Sequence, residues 1–392
     1  MQFPFLNPDI QKFIDSNIGA DISRLALQKN PFPEVEWISI INQIAAKTKA
    51  KEKLPTWFSS GNIIYPSKIS VEQTSSEKTA SYKSKLVSGD SLIDLTGGFG
   101  VDDFYFSKRL EKVFHCEIDA RLSEIVKHNF DVLGVGNIEC LSGDSTQILE
   151  KLNRKFDWIY IDPSRRNDTK GKVFMLKDCQ PNVPELLNFY FQYTENILVK
   201  TAPILDISAG LSELQNVRKI HIVAVENEVK ELVWEISKGH SGHIAIETVN
   251  LSKEKDDDFS FILGNAETVN FALPKKYLYE PNAAIMKSGG FDAVASQFDL
   301  GKLHPHSHLY TSDSVIYFPG RAFEITNSIN YGKSEMKSFL ENTKANITTR
   351  NFPDSVETIR KKWNIKDGGA TYCFFTTDAN NNKIVLICTK IK

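Results

Sequence analysis

The 392-residue chain lacks a strong net charge, disulfide-type cysteine spacing and any long apolar run. Its 47 Lys and Arg nearly balance 49 Asp and Glu, and the net charge is −2. The overall charge therefore does not indicate a protein that binds polyanions. No two of its cysteines form a C-x-x-C pair, which leaves neither a zinc knuckle nor a disulfide framework supported; they are Cys116, Cys140, Cys179, Cys373 and Cys388. We therefore expect a reducing compartment and no metal.

The N-terminus and the hydropathy pattern give no sign of a membrane or of export. The start, MQFPFLNPDIQKF, lacks the basic residues and apolar core of a signal peptide. No apolar run approaches the length needed to cross a bilayer. The sequence therefore predicts a cytoplasmic protein that does not span a membrane.

The composition is that of an ordinary folded protein with more than one domain. Hydrophobic residues make up 41% and charged residues 24% of the chain, and 392 residues suggest two or three domains. Charge is distributed unevenly, because residues 321–392 carry 12 Lys and Arg against 7 Asp and Glu. This basic end weakly favours a contact with nucleic acid, although on charge alone an ordinary solvated surface is the commoner explanation.

Hydrophobic periodicity divides the chain into four regions. Residues 1–66 show helix-like spacing, interrupted by the two prolines at 31 and 33. Residues 67–252 alternate short apolar runs with amphipathic helices, which is typical of a parallel α/β sheet. The seven predicted strands cover 91–95, 112–117, 137–144, 157–162, 197–201, 219–226 and 243–249. A helix is predicted at 229–237 between the last two, and the direction of the final strand stays open.

The remaining residues predict a smaller α+β region. The polar run SKEKDDD at 252–258 ends the sheet region. We predict strands at 259–264 and 315–318 in a segment covering 259–319. From 320 to 392 the pattern is strand, helix, strand, helix and a final hairpin, whose turn lies at the three asparagines 380–382.

A glycine-rich turn, DLTGGFGVD at 94–102, joins the first predicted strand to a helix. Such a turn allows a ligand to approach the backbone closely, and the helix N-terminus favours a negative group. A dinucleotide site would need a third glycine where Asp103 stands, and a structural turn needs fewer glycines. The third interpretation is S-adenosyl-L-methionine (SAM). Its candidate contacts in this turn are Asp94, Thr96, Gly97, Gly98 and Gly100.

Two further strand ends favour the SAM interpretation. Glu117 ends the second strand, where a carboxylate can accept hydrogen bonds from both ribose hydroxyls, and Ile118 follows to cover the adenine face. Asp144, followed by Ser145, ends the third strand, where it can accept from the adenine amino group. Ligands of open α/β sheets bind at the carboxyl ends of strands, so these residues should lie at one edge.

In this order of motifs the chain resembles a class I SAM-dependent methyltransferase from about residue 70 to 250. The resemblance implies a Rossmann-like, seven-stranded methyltransferase sheet. One position departs from the family pattern, because Thr96 stands at the usual first glycine of the turn. The form T-x-G-x-G is also found in some RNA methyltransferases.

A narrower resemblance covers most of the chain beyond residue 70. The stretches EQTSSEKTASYKS (72–84), YLYEPNAAIMKSGGFDAVASQFDLGKLHPHSHLYTSD (277–313) and KDGGATYCFFTT (366–377) are similar to bacterial methyltransferases with a C-terminal THUMP-like domain. In that family a ferredoxin-like segment precedes the THUMP-like domain. THUMP domains proper bind RNA, so the resemblance implies rRNA or tRNA as the partner.

The stretch WIYIDPSRR at 158–166 ends a buried strand on Asp162 and Pro163, which we predict to be the acceptor side of the site. In D-P-P-Y enzymes the acid and the following carbonyl hold an amine, and the aromatic residue stacks on a flipped base. Here Arg165 stands at the aromatic position and Arg166 follows. Both could stack on a base or grip a phosphate, and Lys200, ending the fifth strand, could add a contact or simply lie at the surface.

Two other functions stay open from the sequence. The chain could methylate a small molecule or a protein, or it could be a non-catalytic RNA-binding protein with a methyltransferase fold. The three histidines 304, 306 and 308 could bind a metal, but no cysteine or carboxylate stands close by in the sequence. We expect them to be structural.

Overall fold

The computed structural model describes residues 3–165 and 175–391. These residues form two compact units. The first comprises Met1–Lys219 and Glu231–Gly242, and the second comprises Ile220–Lys230 and His243–Lys392. The predicted boundaries at residues 66 and 252 stay predictions.

The N-terminal part of the first unit is helical, as predicted. Its helices are α1 (Pro8–Ser16), α2 (Ile22–Ala26), α3 (Trp37–Lys53), α4 (Pro55–Ser59), α5 (Lys68–Gln73) and α6 (Glu77–Ser84). Side-chain caps begin several of them. Asp21 accepts from the backbone of α2, Ser67 from that of α5 and Ser76 from that of α6.

Strands and helices then alternate. The strands are β1 (Ser91–Asp94), β2 (Lys112–Glu117), β3 (Ile138–Ser142), β4 (Trp158–Ile161), β5 (Ser164–Arg165), β6 (Cys179–Gln180), β7 (Asn196–Thr201), β8 (Val217–Val225) and β9 (Glu228–Ser237). The helices between them are α7 (Val101–Phe106), α8 (Ala120–Val132), α9 (Ser145–Leu152), α10 (Val183–Tyr190) and α11 (Ile207–Glu213).

The sheet of the first unit has the strand order β9-β7-β4-β1-β2-β3. The pairs β1–β2, β2–β3, β1–β4 and β4–β7 are parallel, whereas β9 runs antiparallel to β7. The carboxyl ends of five strands therefore share one edge. The chain order reverses between β1 and β4, which is where ligands of open α/β sheets bind.

The helix predicted at 229–237 is wrong, because these residues form β9. Every residue from 231 to 236 is buried, so the segment shows no alternation of polar and apolar side chains. Glu231 and Glu235 stand four residues apart and imitate the polar face of a helix, yet both are buried. Glu226 and Asn227 adopt positive φ just before the strand, a conformation typical of a two-residue turn.

The second unit contains β8 in large part and the antiparallel pair β10 (Ala245–Leu251) and β11 (Asp257–Ile262). Its further strands are β12 (Tyr277–Pro281), β13 (Gly301–Lys302), β14 (Tyr310–Ser312), β15 (Gly320–Asn330), β16 (Asn346–Arg350), β17 (Thr371–Thr377) and β18 (Lys383–Lys390). Its helices are α12 (Ala283–Ser288), α13 (Phe291–Gln297), α14 (Lys333–Phe339) and α15 (Val356–Trp363).

A seven-stranded sheet of order β13-β14-β12-β15-β18-β17-β16 organises this unit. Cys373 and Phe375 pack with α14 and α15 on one face. Phe374 packs with Leu303 and Leu309 on the other. The predicted final hairpin is confirmed as β17–β18. Asp378 holds its turn by accepting hydrogen bonds from backbone N–H groups within the predicted asparagine stretch.

The strand predicted at 315–318 is wrong, since these residues have no regular structure. They are held by side chains instead, and the backbone N–H of Ile316 donates to the hydroxyl of Tyr279 at 3.1 Å. Within the described residues, no helix combines the length and the apolar character needed to span a bilayer.

Candidate functional site

The predicted loop residues lie at the shared carboxyl edge, between β1 and α7. Asp94 is buried, and its Oδ1 accepts from the backbone N–H of Thr96 at 2.7 Å and from its hydroxyl at 3.0 Å. Burial, followed by the nearby charge of Asp103, raises the pKa of Asp94. Asp94 therefore stabilises the turn by accepting two hydrogen bonds from Thr96.

Thr96 connects this loop to the strand end that carries the acceptor motif. Its Oγ1 accepts a hydrogen bond from the backbone N–H of Asp162 at 2.7 Å, while its own hydroxyl donates to Asp94. A glycine at position 96 could make neither contact. This double contact is a physical reason for the departure from the usual glycine.

The three glycines of the loop serve different purposes. A Cβ on Gly97 would lie 2.2 Å from the ring of His115, and one on Gly100 would lie 2.5 Å from the ring of Phe130. Gly98 has φ of +55° but ample space, since the nearest atom, the Thr96 carbonyl oxygen, is 3.7 Å away from a built Cβ. Gly97 and Gly100 permit internal packing, whereas Gly98 leaves the backbone open to a ligand.

Glu117, the last residue of β2, and Ile118 after it lie at the same edge. The backbone N–H of Gly98 donates to Oε2 of Glu117 at 3.0 Å, and that of Asp119 donates to Oε1 at 2.8 Å. Each carboxylate oxygen has two acceptor positions, so Glu117 retains capacity for hydroxyl donors. Ile118 is 70% exposed, an unusual position for a large apolar side chain and one suited to covering a planar ring.

Asp144 begins α9 as its N-cap. Its Oδ1 accepts from the backbone N–H groups of Thr146 and Gln147, and from the hydroxyl of Thr146. The Thr146 hydroxyl is the main cause that lowers the pKa of Asp144. Asp144 is exposed, and Ser145, the first residue of α9, is half-buried. The suggested contacts of both residues with adenine stay predictions.

Asp162 follows β4 and forms an ion pair with Lys200 of β7. The Lys200 side chain is only 12% exposed, against 35% for Asp162. Burial alone would lower the pKa of Lys200, but the charges of Asp162, Glu231 and Asp102 outweigh it and raise the pKa. Lys200 thus lies mostly inside the sheet edge and neutralises Asp162. Pro163, the next residue after Asp162, is buried.

The chain after Pro163 is fixed by short contacts. Ser164 pairs with Gln180, and the backbone of Arg165 pairs with Cys179. Arg166 lies outside the described residues, so both suggested arginine contacts stay predictions. The Glu213 carboxylate accepts from the backbone N–H of Leu176 at 2.7 Å. Cys179 is fully buried, which fits a structural thiol rather than a nucleophile.

A buried ionic cluster behind Asp162 was not predicted from the sequence. Nζ of Lys83, in α6, lies 3.1 Å from Oδ1 of Asp102 and 2.8 Å from both carboxylate oxygens of Glu231. Ser75 and Tyr160 each donate a hydroxyl to Oδ2 of Asp102 at 2.8 Å. Acids of α7 and β9 thus meet at one lysine of α6.

The two acids of this cluster have opposite pKa shifts. Burial is the largest influence on Asp102 and would raise its pKa, but Lys83, Lys200 and the hydroxyl donors lower it below the usual value. Burial dominates at Glu231 and raises its pKa despite Lys83. Sequence reasoning missed Glu231 because it had placed this residue in a helix.

A second buried pair lies beneath the glycine loop. Oδ2 of Asp103 is 2.6 Å from Nδ1 of His115, and both side chains are fully buried. Burial raises the pKa of Asp103 and lowers that of His115. The charged form of each group is therefore disfavoured.

Two of the three histidines in the 304–308 segment lie close together, since the ring centroids of His304 and His306 are 5.5 Å apart. His304 lies 2.9 Å from the side-chain amide of Asn351, and His308 stacks on Phe291 with ring centroids 3.5 Å apart. Among the residues for which coordinates are described, no group of three His, Cys, Asp or Glu side chains is arranged to hold a metal ion.

Comparisons with known proteins identify the class of fold. A ferredoxin-like domain family model matches residues 277–319, and a THUMP-like domain family model matches residues 320–390. The chain is similar over 98% of its length to the solved structure of a methyltransferase candidate from Porphyromonas gingivalis. That alignment covers 98% of the other chain, with 29% identity and a TM-score of 0.86.

Other solved structures align with a smaller part of the chain. An rRNA methylase from Streptococcus thermophilus aligns over 41% of this chain and 93% of its own, with 13% identity and a TM-score of 0.30. Trm5b from Pyrococcus abyssi aligns over 45% of this chain and 50% of its own, with 17% identity and a TM-score of 0.31. None of the curated proteins compared with the chain matches it in sequence.

The chain therefore has the α/β fold of the class I methyltransferases. It ends with the ferredoxin-like and THUMP-like domains of the bacterial family that the sequence resembles, and this prediction is confirmed.

Proposed function

We propose that the protein is a SAM-dependent methyltransferase that transfers a methyl group to RNA, at a base nitrogen of rRNA or tRNA. The observation that carries this proposal is the hydrogen bond from the backbone N–H of Asp162 to Thr96. It joins the loop suited to the cofactor and the strand end suited to the acceptor. The similarity to a methyltransferase candidate over 98% of the chain supports the same class of reaction.

The residues at the edge fit the shape and chemistry of SAM. Gly98 leaves room beside the turn, Glu117 retains acceptor positions for ribose hydroxyls, and Ile118 exposes an apolar side chain for the adenine ring. When bound, SAM supplies a methyl group activated by a sulfonium. The protein must mainly hold the acceptor atom in line with that methyl group.

Asp162 is suited to orient an amine acceptor. Its carboxylate contacts Lys200, and an ionised carboxylate only accepts hydrogen bonds. An N–H of the acceptor can then donate to Asp162, which directs the nitrogen lone pair away from the carboxylate. Because the Asp162 side chain is 35% exposed, a base can reach it from solvent.

RNA is favoured as the acceptor by the C-terminal region of the chain. The THUMP-like match covers 320–390, and residues 321–392 carry five more positive than negative charges. Arg165, and Arg166 outside the described residues, stand where related motifs have a stacking ring, and arginine can contact either a base or a phosphate.

Calorimetric titration with SAM tests the cofactor assignment. We expect micromolar binding by the wild-type protein and no binding by Gly98→Arg, because a side chain there would fill the open side of the turn. Gly134→Arg is the matched control. Gly134 also has positive φ and free space, but it lies between α8 and β3 at the opposite edge of the sheet. Equal SAM affinity in both variants would remove the cofactor assignment.

Mass spectrometry of RNA nucleosides tests the acceptor. We expect a strain that lacks the gene to lose one methylated nucleoside and to regain it with the wild-type gene. Intact SAM binding without RNA retention at low salt would instead favour a small-molecule or protein substrate. RNA retention with an unchanged nucleoside profile would favour a non-catalytic RNA-binding protein.

A further inference from the structure

A buried carboxylate in the second unit is shared by two arginines. The Glu280 side chain is 3% exposed. Its Oε2 accepts from Nε of Arg321 at 2.7 Å and also from Nη2, and its Oε1 accepts from Nη2 of Arg350 at 2.9 Å. One negative charge faces two positive charges, so this group of three carries a net positive charge.

The contact between Glu280 and Arg350 shows that the sheet is strongly curved. Glu280 belongs to β12 and Arg350 to β16, with β15, β18 and β17 between them. Four strand spacings amount to about 19 Å in a flat sheet, well beyond the reach of an arginine side chain. The face that carries both arginines is therefore concave, and Leu303 and Leu309 pack against it beside Phe374.

Two nitrogen atoms near this group lack a hydrogen-bond partner within the described residues. Nε of Arg350 and Nδ1 of His308 are both buried there without a hydrogen-bond partner. Burial, followed by the charges of Lys302 and Arg350, lowers the pKa of His308 to about 4. The positive potential of Arg350 thus extends to His308 even though Glu280 is present.

The side chains of Arg321 and Arg350 remain accessible to solvent although both are bound to Glu280. Their side chains are 38% and 33% exposed for Arg321 and Arg350. Glu280 holds each guanidinium group in one orientation, which reduces the entropy lost when a further anion binds. Half-buried Tyr372 packs on Phe323 at 5.1 Å between ring centroids, and the Arg321 guanidinium carbon lies 5.5 Å from the centroid of the same Phe323 ring.

We propose that Arg321 and Arg350 form a binding site for a backbone phosphate of RNA on the concave face of the second unit. This inference rests on the proposed function, because it supposes an RNA substrate. Planar guanidinium groups match phosphate oxygens in pairs, and the neighbouring tyrosine offers a ring on which a base can stack. A purely structural ion network would need no exposed guanidinium groups.

Fluorescence anisotropy of the full-length protein tests the site. The probe is a fluorescein-labelled single-stranded RNA of 20 nucleotides with mixed sequence, titrated at several KCl concentrations. Arg350→Gln removes one charge and leaves Glu280 paired with Arg321. We expect about tenfold weaker binding. The slope of log K against log salt should fall by about 0.7, the value for one phosphate contact on a single strand.

Two further variants separate binding from folding. Lys333→Gln removes one exposed charge from α14, which packs on the other face of the sheet, and should leave RNA affinity within twofold. Glu280→Gln removes the competing negative charge, while its amide oxygen can still accept from Arg321, and it should tighten RNA binding. Equal effects of Arg350→Gln and Lys333→Gln, with all variants folded, would overturn the phosphate site.

The remaining outcomes distinguish the site from the function on which it rests. If the wild-type protein binds the RNA and Arg350→Gln binds it equally well, the site is refuted and the proposed function stands. If the wild-type protein does not bind the RNA even at low salt while it binds SAM, the RNA acceptor itself is refuted. Displacement of the RNA by millimolar inorganic phosphate at constant ionic strength would assign the site to free phosphate instead.

Discussion

Nζ of Lys83 lies 2.8 Å from both carboxylate oxygens of Glu231, and the two side chains are 0% and 3% exposed. The residues are 148 positions apart in the sequence. The pair connects α6, which precedes the sheet, to β9. Lys83 also contacts Asp102, so one buried cation contacts two acids beside the candidate acceptor residue.

Removing this cation should destabilise the protein strongly. Lys83→Met leaves Glu231 and Asp102 buried without their positive partner, and we expect a loss of roughly 3–5 kcal/mol in the free energy of unfolding. Urea denaturation measures the loss. The double variant Lys83→Met/Glu231→Gln should recover part of it, because one of the unpaired charges is then absent.

An exposed ion pair provides the control for this prediction. Lys12 lies 3.8 Å from Asp9, and both side chains are 79% exposed. Lys12→Met should change the free energy of unfolding by less than about 1 kcal/mol, as for other surface pairs. Similar losses in Lys83→Met and Lys12→Met would show that the buried cluster does not contribute as proposed.

Asp162→Asn should separate cofactor binding from methyl transfer. The substitution removes the negative charge that holds an amine acceptor but leaves the glycine loop in place. We expect SAM affinity within about twofold of wild type and at least about 100-fold slower transfer, as for a misplaced reacting group. Transfer of tritiated methyl groups from SAM to RNA of the deletion strain gives the rate.

Two variants control for charge and folding in that experiment. Glu150→Gln removes one exposed acid from α9 and should retain full activity. Asp162→Asn/Lys200→Met also removes the cation that Asp162 neutralises, so it tests whether an unpaired Lys200 causes the loss. Full transfer by Asp162→Asn would refute the acceptor role of Asp162.

His308 should make the stability of the protein depend on pH. Burial and nearby cations lower its pKa to about 4 in the folded state, from an ordinary value of 6.5. Between these two pH values His308 is protonated in the unfolded chain and neutral in the folded protein. Stability should therefore fall as pH decreases from about 6.5 to 4.

Thermal unfolding of wild type and His308→Asn across this pH range measures the effect. Asparagine tolerates the φ of +52° at this position, although it loses the stacking on Phe291. The lost stacking is the same at every pH. The informative quantity is therefore how the difference in unfolding midpoint between wild type and His308→Asn changes with pH. His306→Asn, at an exposed position, is the control. A constant difference for His308→Asn would contradict the prediction.

Most of the predicted cofactor residues could be placed from the sequence because their signals are local. Each follows an apolar run, as Gly98 follows β1 and Glu117 ends β2, and parallel strands bring their carboxyl ends to one edge. The environment of Lys200 does not follow from its position in the sequence. A lysine at a strand end is equally compatible with solvent and with a buried ion pair, and only the position of Asp162 on the neighbouring strand decides between them.

The sequence by itself determined the α/β class, the glycine turn and the acids at the strand ends, since hydrophobic periodicity and glycine content act over a few residues. Tertiary structure alone decided that residues 228–237 form β9 and that Lys83 pairs with Glu231. It also decided that Thr96 joins two strand ends. Burying an unpaired charge is energetically costly, so a buried charge is paired in the folded state. Its partner can lie at any distance along the chain.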